Sequence, residues 1–133
     1  MLGNVAAAAD FNGDGWPDLV VGDERAASMV VYMNAKGVLS PGFTTIDTKR
    51  VPYAIGAADL NRDDSPDIVI GYIGAPSAVF FNEDHGRHFT EVRFGDGRGD
   101  AYGFAFGDLD GDRYPDIALA RTGAPHVAYI NQK

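Results

Sequence analysis

The stretch "DFNGDGWPD", residues 10–18, places aspartate or asparagine side chains at alternating positions along nine residues. Carboxylates this close repel one another unless a positive charge lies among them. Nearly the same string returns as "DLNRDDSPD" at residues 59–67 and as "DLDGDRYPD" at residues 108–116. Successive copies begin 49 residues apart. The chain therefore repeats one unit, and these three segments, named acidic loops 1, 2 and 3, mark its copies.

Short runs rich in Val, Ile, Phe and Tyr accompany each acidic loop, as is typical of β-strands. In the first copy, the short run "VAAAA" precedes the loop at residues 5–9 and "DLVVG" closes and follows it at residues 18–22. "MVVYMN" comes next at residues 29–34, and "FTTIDT" follows at residues 43–48. The second copy repeats all of these runs, whereas the third has no counterpart of the last one. We therefore expect four strands in each of two copies and three in the third, with the acidic loop joining the first two strands.

A repeat of about 40 to 50 residues with four strands is typical of a β-propeller blade. The predicted fold class is all-β, with blades at residues 1–50, 51–100 and 101–133, the last without its outer strand. Propellers typically have four or more blades, so three would leave an apolar face at each end. Head-to-tail pairing of two chains would close a six-bladed ring, and we expect a homodimer. The alternative is a piece of a longer propeller.

The net charge of −8 is concentrated in the acidic loops, because ten carboxylates occupy their alternating positions. Without these ten the charge would change from −8 to +2. No basic patch is available for phosphate contacts, so nucleic acid is not an expected partner. The absence of cysteine excludes disulfides and thiolate metal sites. No apolar run is long enough to predict membrane insertion, and the first residues do not resemble a signal peptide.

Oxygen-bearing side chains stand at positions 1, 3, 5 and 9 of each acidic loop, and the backbone carbonyl at position 7 adds another oxygen. Calcium prefers six to eight such ligands, whereas magnesium demands tighter octahedral geometry and zinc prefers His or Cys. Plain turns also use Asp, Asn and Gly, but three copies between strand-like runs favour up to three calcium ions per chain. The expected ligands are Asp10, Asn12, Asp14, the Trp16 carbonyl and Asp18; Asp59, Asn61, Asp63, the Ser65 carbonyl and Asp67; and Asp108, Asp110, Asp112, the Tyr114 carbonyl and Asp116.

Position 6 of each acidic loop needs a sharp turn, for which glycine is best suited. Only acidic loop 1 has it, as Gly15, while the other two loops have Asp64 and Arg113. Aspartate tolerates the left-handed conformation better than arginine does. We expect the first site to be the best formed and leave the other two unranked.

The unit "AAADFNGDGWPDLVVG" at residues 7–22 and its two relatives resemble the FG-GAP or VCBS repeat. That repeat builds the N-terminal β-propeller of integrin α-subunits and occurs in many bacterial secreted proteins. The resemblance covers nearly the whole chain. It implies a propeller fold, calcium in the hairpin loop between the first two strands of each blade, and an extracellular or cell-surface location in the parent protein. It does not determine function, because adhesion, lectin and enzyme-appended modules share this fold.

No group of residues outside the acidic loops has the pattern of a catalytic site. His85, His88 and His126 are not spaced as part of a nucleophile–base–acid set. An "RGD" tripeptide at residues 98–100 is a possible adhesion motif, but it lies in a glycine-rich connection where such a tripeptide arises easily. We therefore expect no enzyme activity and a binding or assembly module with a protein partner. The alternatives are a carbohydrate-binding, lectin-like module and a non-catalytic fragment of a secreted enzyme's propeller.

Overall fold

The structure is a computed structural model of the chain and describes residues 5–23, 25–41 and 43–132. All regular secondary structure in these ranges is β-strand, in thirteen strands that pair antiparallel. This confirms the all-β prediction. Among the described residues there is no helix of the length and apolarity needed to cross a membrane.

Sheet 1 has the strand order β1-β2-β3-β6. Its strands are β1 (Ala6–Ala9), β2 (Asp18–Asp23), β3 (Ser28–Tyr32) and β6 (Thr44–Asp47). A two-stranded hairpin of β4 (Asn34–Ala35) and β5 (Val38–Leu39) lies between β3 and β6 in the sequence. This hairpin was not predicted. It turns at Lys36 and Gly37, which both have positive φ values, 54° and 91°, as two-residue hairpin turns require.

Sheets 2 and 3 repeat the strand order of sheet 1. Sheet 2 consists of β7 (Ala54–Ala58), β8 (Asp67–Gly71), β9 (Ser77–Asn82) and β10 (Phe89–Phe94), and sheet 3 of β11 (Asp100–Gly107), β12 (Asp116–Thr122) and β13 (Val127–Tyr129). The three sheets thus have four, four and three strands, as the sequence runs indicated. Successive antiparallel sheets of this kind are consistent with β-propeller blades.

Sheet 2 lies between the other two sheets, and its strand β8 is buried on both faces. In β8, Ile68 and Ile70 belong to the apolar cluster shared with sheet 1. Val69 points the opposite way and packs with Ile117 of sheet 3. Because successive side chains of a strand alternate between faces, burial on both faces explains why "DIVIG" is continuously apolar.

Two glycines let sheets 2 and 3 approach closely. A Cβ atom built on Gly56 would lie 2.7 Å from the ring of Phe106, and one built on Gly71 would overlap the Cβ of Ala101. Neither glycine has a positive φ. Their role is therefore to provide space between the sheets and not to form a turn.

Candidate metal centres

Each acidic loop joins the first and second strands of its sheet, as the sequence predicted. Acidic loop 1 connects β1 to β2, acidic loop 2 connects β7 to β8, and acidic loop 3 connects β11 to β12. The aspartate at position 1 comes directly after the first strand, and the aspartate at position 9 is the first residue of the second strand. The three loops therefore occupy the same place in three successive sheets.

The aspartate at position 1 organises the backbone of its loop. The Oδ1 atom of Asp10 accepts hydrogen bonds from the backbone N–H groups of Gly13 (2.8 Å) and Asp14 (3.1 Å). Its Oδ2 atom accepts one from the N–H of Gly15 (2.8 Å). Asp59 and Asp108 bind the N–H groups at positions 5 and 6 of their own loops in the same way. The three loops therefore fold alike.

The aspartate at position 9 is buried in all three loops, with exposed fractions of 1% or less for Asp18, Asp67 and Asp116. Each accepts two backbone hydrogen bonds; those of Asp67 come from the N–H groups of Leu60 and Asn82, both at 2.9 Å. Burial raises the pKa of Asp67 to about 6, although these two N–H groups oppose the shift. Burial also raises the pKa of Asp18. A buried carboxylate of this kind is stabilised by a cation beside it.

Position 6 adopts the left-handed conformation in all three loops, in agreement with the sharp turn that was predicted there. The φ values are 88° at Gly15, 67° at Asp64 and 76° at Arg113. Arg113 therefore adopts a backbone conformation that is costly for its residue type. Position 4 also has a positive φ, at Gly13, Arg62 and Gly111, a second sharp turn that the sequence analysis did not identify.

Acidic loop 3 brings three of its expected ligands together. Carboxylate oxygens of Asp108, Asp110 and Asp116 lie within 4.8 Å of one another, close enough to share one ion. The backbone N–H of Asp112 lowers the pKa of Asp110, but burial and the neighbouring carboxylates outweigh it, and the pKa is raised overall. Mutual repulsion among these carboxylates therefore favours a bound cation. Asp112 itself lies outside the trio, and its Oδ1 accepts the N–H of Tyr114 at 2.8 Å.

Acidic loops 1 and 2 have asparagine where acidic loop 3 has Asp110. The Nδ2 atoms of Asn12 and Asn61 donate hydrogen bonds to the Oδ2 atoms of Asp14 (3.2 Å) and Asp63 (3.0 Å). The amides thus offset part of the negative charge at position 5. Their side-chain oxygens accept the backbone N–H groups of the same two aspartates.

The residues at position 7 were expected to contribute backbone carbonyls. The structure shows their N–H groups donating to the aspartate at position 5, at 2.9 Å for Trp16 and Ser65. Ligation by the carbonyls of Trp16, Ser65 and Tyr114 stays a prediction. The guanidinium carbon of Arg62 lies over the ring of Tyr114, 5.5 Å from the ring centroid. Acidic loops 2 and 3 are therefore in contact.

Comparison with family models gives two matches to the FG-GAP-like repeat, at residues 10–70 and 59–119. Each match begins at position 1 of an acidic loop and ends in the second strand of the next sheet. Together they cover more than four fifths of the chain. The chain belongs to the FG-GAP-like repeat family. A search of curated protein sequences found no match to the chain. FG-GAP repeats are typical of extracellular proteins.

An asparagine holds each acidic loop of this FG-GAP chain, and no role was predicted for it from the sequence. Asn34, Asn82 and Asn131 donate their backbone N–H groups to the Oδ1 atom of the aspartate at position 9. Their Nδ2 atoms donate to the carbonyl of the proline at position 8. The signal was present in the sequence, since an asparagine follows each of these aspartates by 15 or 16 residues.

The oxygen donors of the three acidic loops fit a hard divalent cation. All side-chain ligand candidates are carboxylate or amide oxygens, the atoms that calcium prefers. The loops contain neither His nor Cys, so they offer no typical zinc ligand. The position-1 and position-9 aspartates are already oriented by backbone hydrogen bonds, which reduces the ordering needed when a cation binds.

Proposed function

We propose that this chain is a calcium-binding β-propeller module that acts by binding and assembly and does not catalyse a reaction. The observation that carries the proposal is the convergence of the Asp108, Asp110 and Asp116 carboxylates within 4.8 Å in a loop whose backbone fold occurs three times. The FG-GAP repeats support it, since the module type serves partner binding. We further propose an extracellular or cell-surface location for the parent protein.

Calcium would be held by the oxygens of each acidic loop, up to three ions per chain. It would supply positive charge among carboxylates that otherwise repel one another, and it would tie the loop to the buried aspartate at position 9. Each ion would thereby hold the first two strands of a sheet together. Magnesium suits these loops less well because it demands near-ideal octahedral geometry and retains several waters.

Isothermal titration and thermal unfolding with calcium, with magnesium and with a chelator test this proposal. We expect the melting temperature to rise across a micromolar to millimolar calcium titration. At about a hundredfold excess over Kd the stabilisation is on the order of 3 kcal/mol per site. A melting temperature that stays constant throughout the calcium titration contradicts the proposal.

A matched pair of variants assigns the binding to the loops. Asp110→Ala removes an exposed carboxylate of the trio, so we expect one ion fewer per chain. Asp84→Ala removes an exposed carboxylate outside the acidic loops and serves as the control. Equal calcium stoichiometry in the two variants would argue against the assigned site in acidic loop 3.

The side-chain contacts of two histidines support a non-catalytic role. The Nδ1 atom of His126 accepts the backbone N–H of Arg121 at 3.1 Å, so it is occupied by the structure. His88 is exposed, with Nε2 3.7 Å from a carboxylate oxygen of Glu83, and it directly precedes β10. Within the described residues, neither histidine makes a hydrogen bond to a serine hydroxyl, as nucleophilic catalysis would require.

A surface cavity supports glycan binding as a second candidate function. The cavity has a volume of about 380 Å³ and is lined by Lys49, Arg50, Tyr53 and Ile73, among others. The ring of Tyr53 packs edge-on against Tyr102, 5.5 Å between centroids. The cavity lies at the end of the sheets opposite the acidic loops, beyond the Ala54–Gly71 pair. A glycan array screened with calcium present tests this candidate, and an array without signal leaves protein assembly as the favoured role.

A further inference from the structure

One hydrogen bond recurs at both junctions between neighbouring sheets. The Nδ2 atom of Asn82 in sheet 2 donates to the carbonyl oxygen of Phe11 in acidic loop 1, at 2.8 Å. The Nδ2 atom of Asn131, after sheet 3, donates to the carbonyl oxygen of Leu60 in acidic loop 2, at 2.7 Å. Both bonds span 71 residues. The junction between sheets is therefore a repeated interface with a fixed polar contact.

The two outer faces of the three-sheet stack each carry one half of this contact. Asn34 holds acidic loop 1 as Asn82 holds acidic loop 2, but its Nδ2 donates only to the Pro17 carbonyl within the described residues. Leu109 is the counterpart of Phe11 and Leu60, and its carbonyl receives no donor from that part of the chain. Leu109 is 61% exposed, whereas Phe11 and Leu60 are 1% and 4% exposed.

The free faces of sheets 1 and 3 are both apolar, and they correspond in the repeat to the two faces that meet at each internal junction. On sheet 3 the free face forms a groove of about 590 Å³ lined by small residues that include Ala105, Ala118 and Ala120. On sheet 1 the free face presents the exposed Ala6 and Ala8 on β1.

We propose that a second copy of this chain covers these faces, with sheet 1 of one copy packed on the free face of sheet 3 of the other. Asn34 of one copy then donates its second Nδ2 hydrogen to the Leu109 carbonyl of the other. This bond repeats, between two copies, the contact that the chain makes at both of its internal junctions. The inference rests on the proposed assembly function and specifies its partner.

The number of copies follows from ring closure. Two copies bring six sheets together and satisfy both free faces of both chains. The described residues of one copy form three such sheets, fewer than the roughly four to eight blades of typical propellers, and those of three copies form nine. A closed pair related by a two-fold axis therefore covers both free faces with a number of sheets in the usual range.

Repeat position identifies two residues that face each other across the new junction. Between sheets 2 and 3 one of the two close contacts is Gly56 against Phe106. The residue 49 positions after Gly56 is Ala105, and the residue 98 positions before Phe106 is Ala8. Both are exposed in the single chain, so a charged side chain at either position is compatible with the fold. In the closed pair either charge would be buried without a partner.

Light scattering on a sizing column in calcium tests the proposal with the full chain. We expect wild type to elute at twice the mass of one chain. Ala105→Glu and Ala8→Lys should each weaken the dimer by about thirtyfold or more, because each buries an unpaired charge. Mixing the two variants should restore a dimer, since one interface then pairs Glu with Lys and the other is wild type. Val92→Glu, at an exposed site on β10, is the control and should stay dimeric.

The outcomes separate this inference from the proposed function. Monomeric wild type in calcium overturns the inference and indicates that the faces are covered by something other than a second copy. Dimers that survive both single charges, or that are not restored on mixing, also overturn it. Calcium titration of the same samples measures ion binding to the acidic loops independently of the oligomeric state. Ion binding by a monomer would leave the calcium proposal standing, and absence of ion binding would contradict that proposal alone.

Discussion

The side chain of Asn82 links two sheets by donating from Nδ2 to the carbonyl oxygen of Phe11, 71 residues earlier in the chain. The same nitrogen donates to the carbonyl of Pro66, and the Oδ1 atom accepts the N–H of Gly86 at 2.8 Å. Asn82 is 1% exposed, so water cannot replace these partners. A single amide therefore holds an acidic loop, a turn and the neighbouring sheet.

We expect Asn82→Ala to lower the free energy of unfolding by about 2 to 3 kcal/mol, because it leaves buried carbonyl and N–H groups without partners. Urea unfolding in a chelator measures this loss without a contribution from calcium. Asn34→Ala is the matched control when unfolding is followed at a protein concentration where the chain is monomeric, since Asn34 then makes the same local contacts but donates to no neighbouring sheet within the described residues. Its loss should be smaller by about 1 kcal/mol. Equal losses would show that the bond between the sheets contributes nothing.

The strands and the acidic loops could be predicted because their signals are local. The loop residues repeat at fixed positions, and the runs around them alternate or are continuously apolar according to burial. The position-6 turns were also predictable, since a nine-residue loop with oxygen donors at positions 1 and 9 must reverse sharply. The left-handed φ values at Gly15, Asp64 and Arg113 bear this out.

Contacts between distant repeats could not be predicted from periodicity. The partner of Asn82 is a backbone carbonyl, which every residue possesses, so residue type alone does not identify Phe11. The hairpin of β4 and β5 was missed for a different reason. Its two-residue turn uses Lys36 at a positive φ, where sequence patterns favour Asn or Gly.

We expect Arg113→Gly to be more stable than Arg113→Ala by about 1 kcal/mol, because only glycine adopts a φ of 76° without strain. Both substitutions remove the arginine charge, so their difference reports the backbone alone. Thermal unfolding in a chelator measures it. The converse substitution, Gly15→Ala, should lose a similar amount, since a side chain there meets open space but an unfavourable φ. Equal melting temperatures for the two Arg113 variants would argue against the left-handed turn.

A pH dependence is expected from the ion pair between Asp96 and Arg121. The buried Arg121 guanidinium lies 2.6 Å from Asp96, and its hydrogen bond lowers the pKa of that carboxyl to about 2. The folded pKa lies below the unfolded value near 4. The pair therefore stabilises the fold above about pH 4, and this contribution is lost as pH falls from 4 to 2.

Comparison with Asp96→Asn isolates this titration from that of the acidic loops, which both proteins share. The stability difference between wild type and variant should be largest above pH 4 and should shrink toward pH 2. Unfolding curves collected between pH 2 and pH 6 measure it. A difference that is constant across this range would mean that Asp96 does not change its proton affinity on folding.

The close approach of sheets 2 and 3 predicts that Gly71→Ala is strongly destabilising. The added Cβ would overlap that of Ala101, and Gly71 does not have a positive φ, so the cost comes from packing and not from the backbone. Overpacking of this kind costs about 1 to 3 kcal/mol. The double variant with Ala101→Gly moves the methyl group from one sheet to the other and should recover most of the loss. The coupling energy from urea unfolding of the two single variants and the double variant measures this directly. If the two changes are additive, the sheets do not touch at these residues, and the stacking of sheet 3 on sheet 2 described above is wrong.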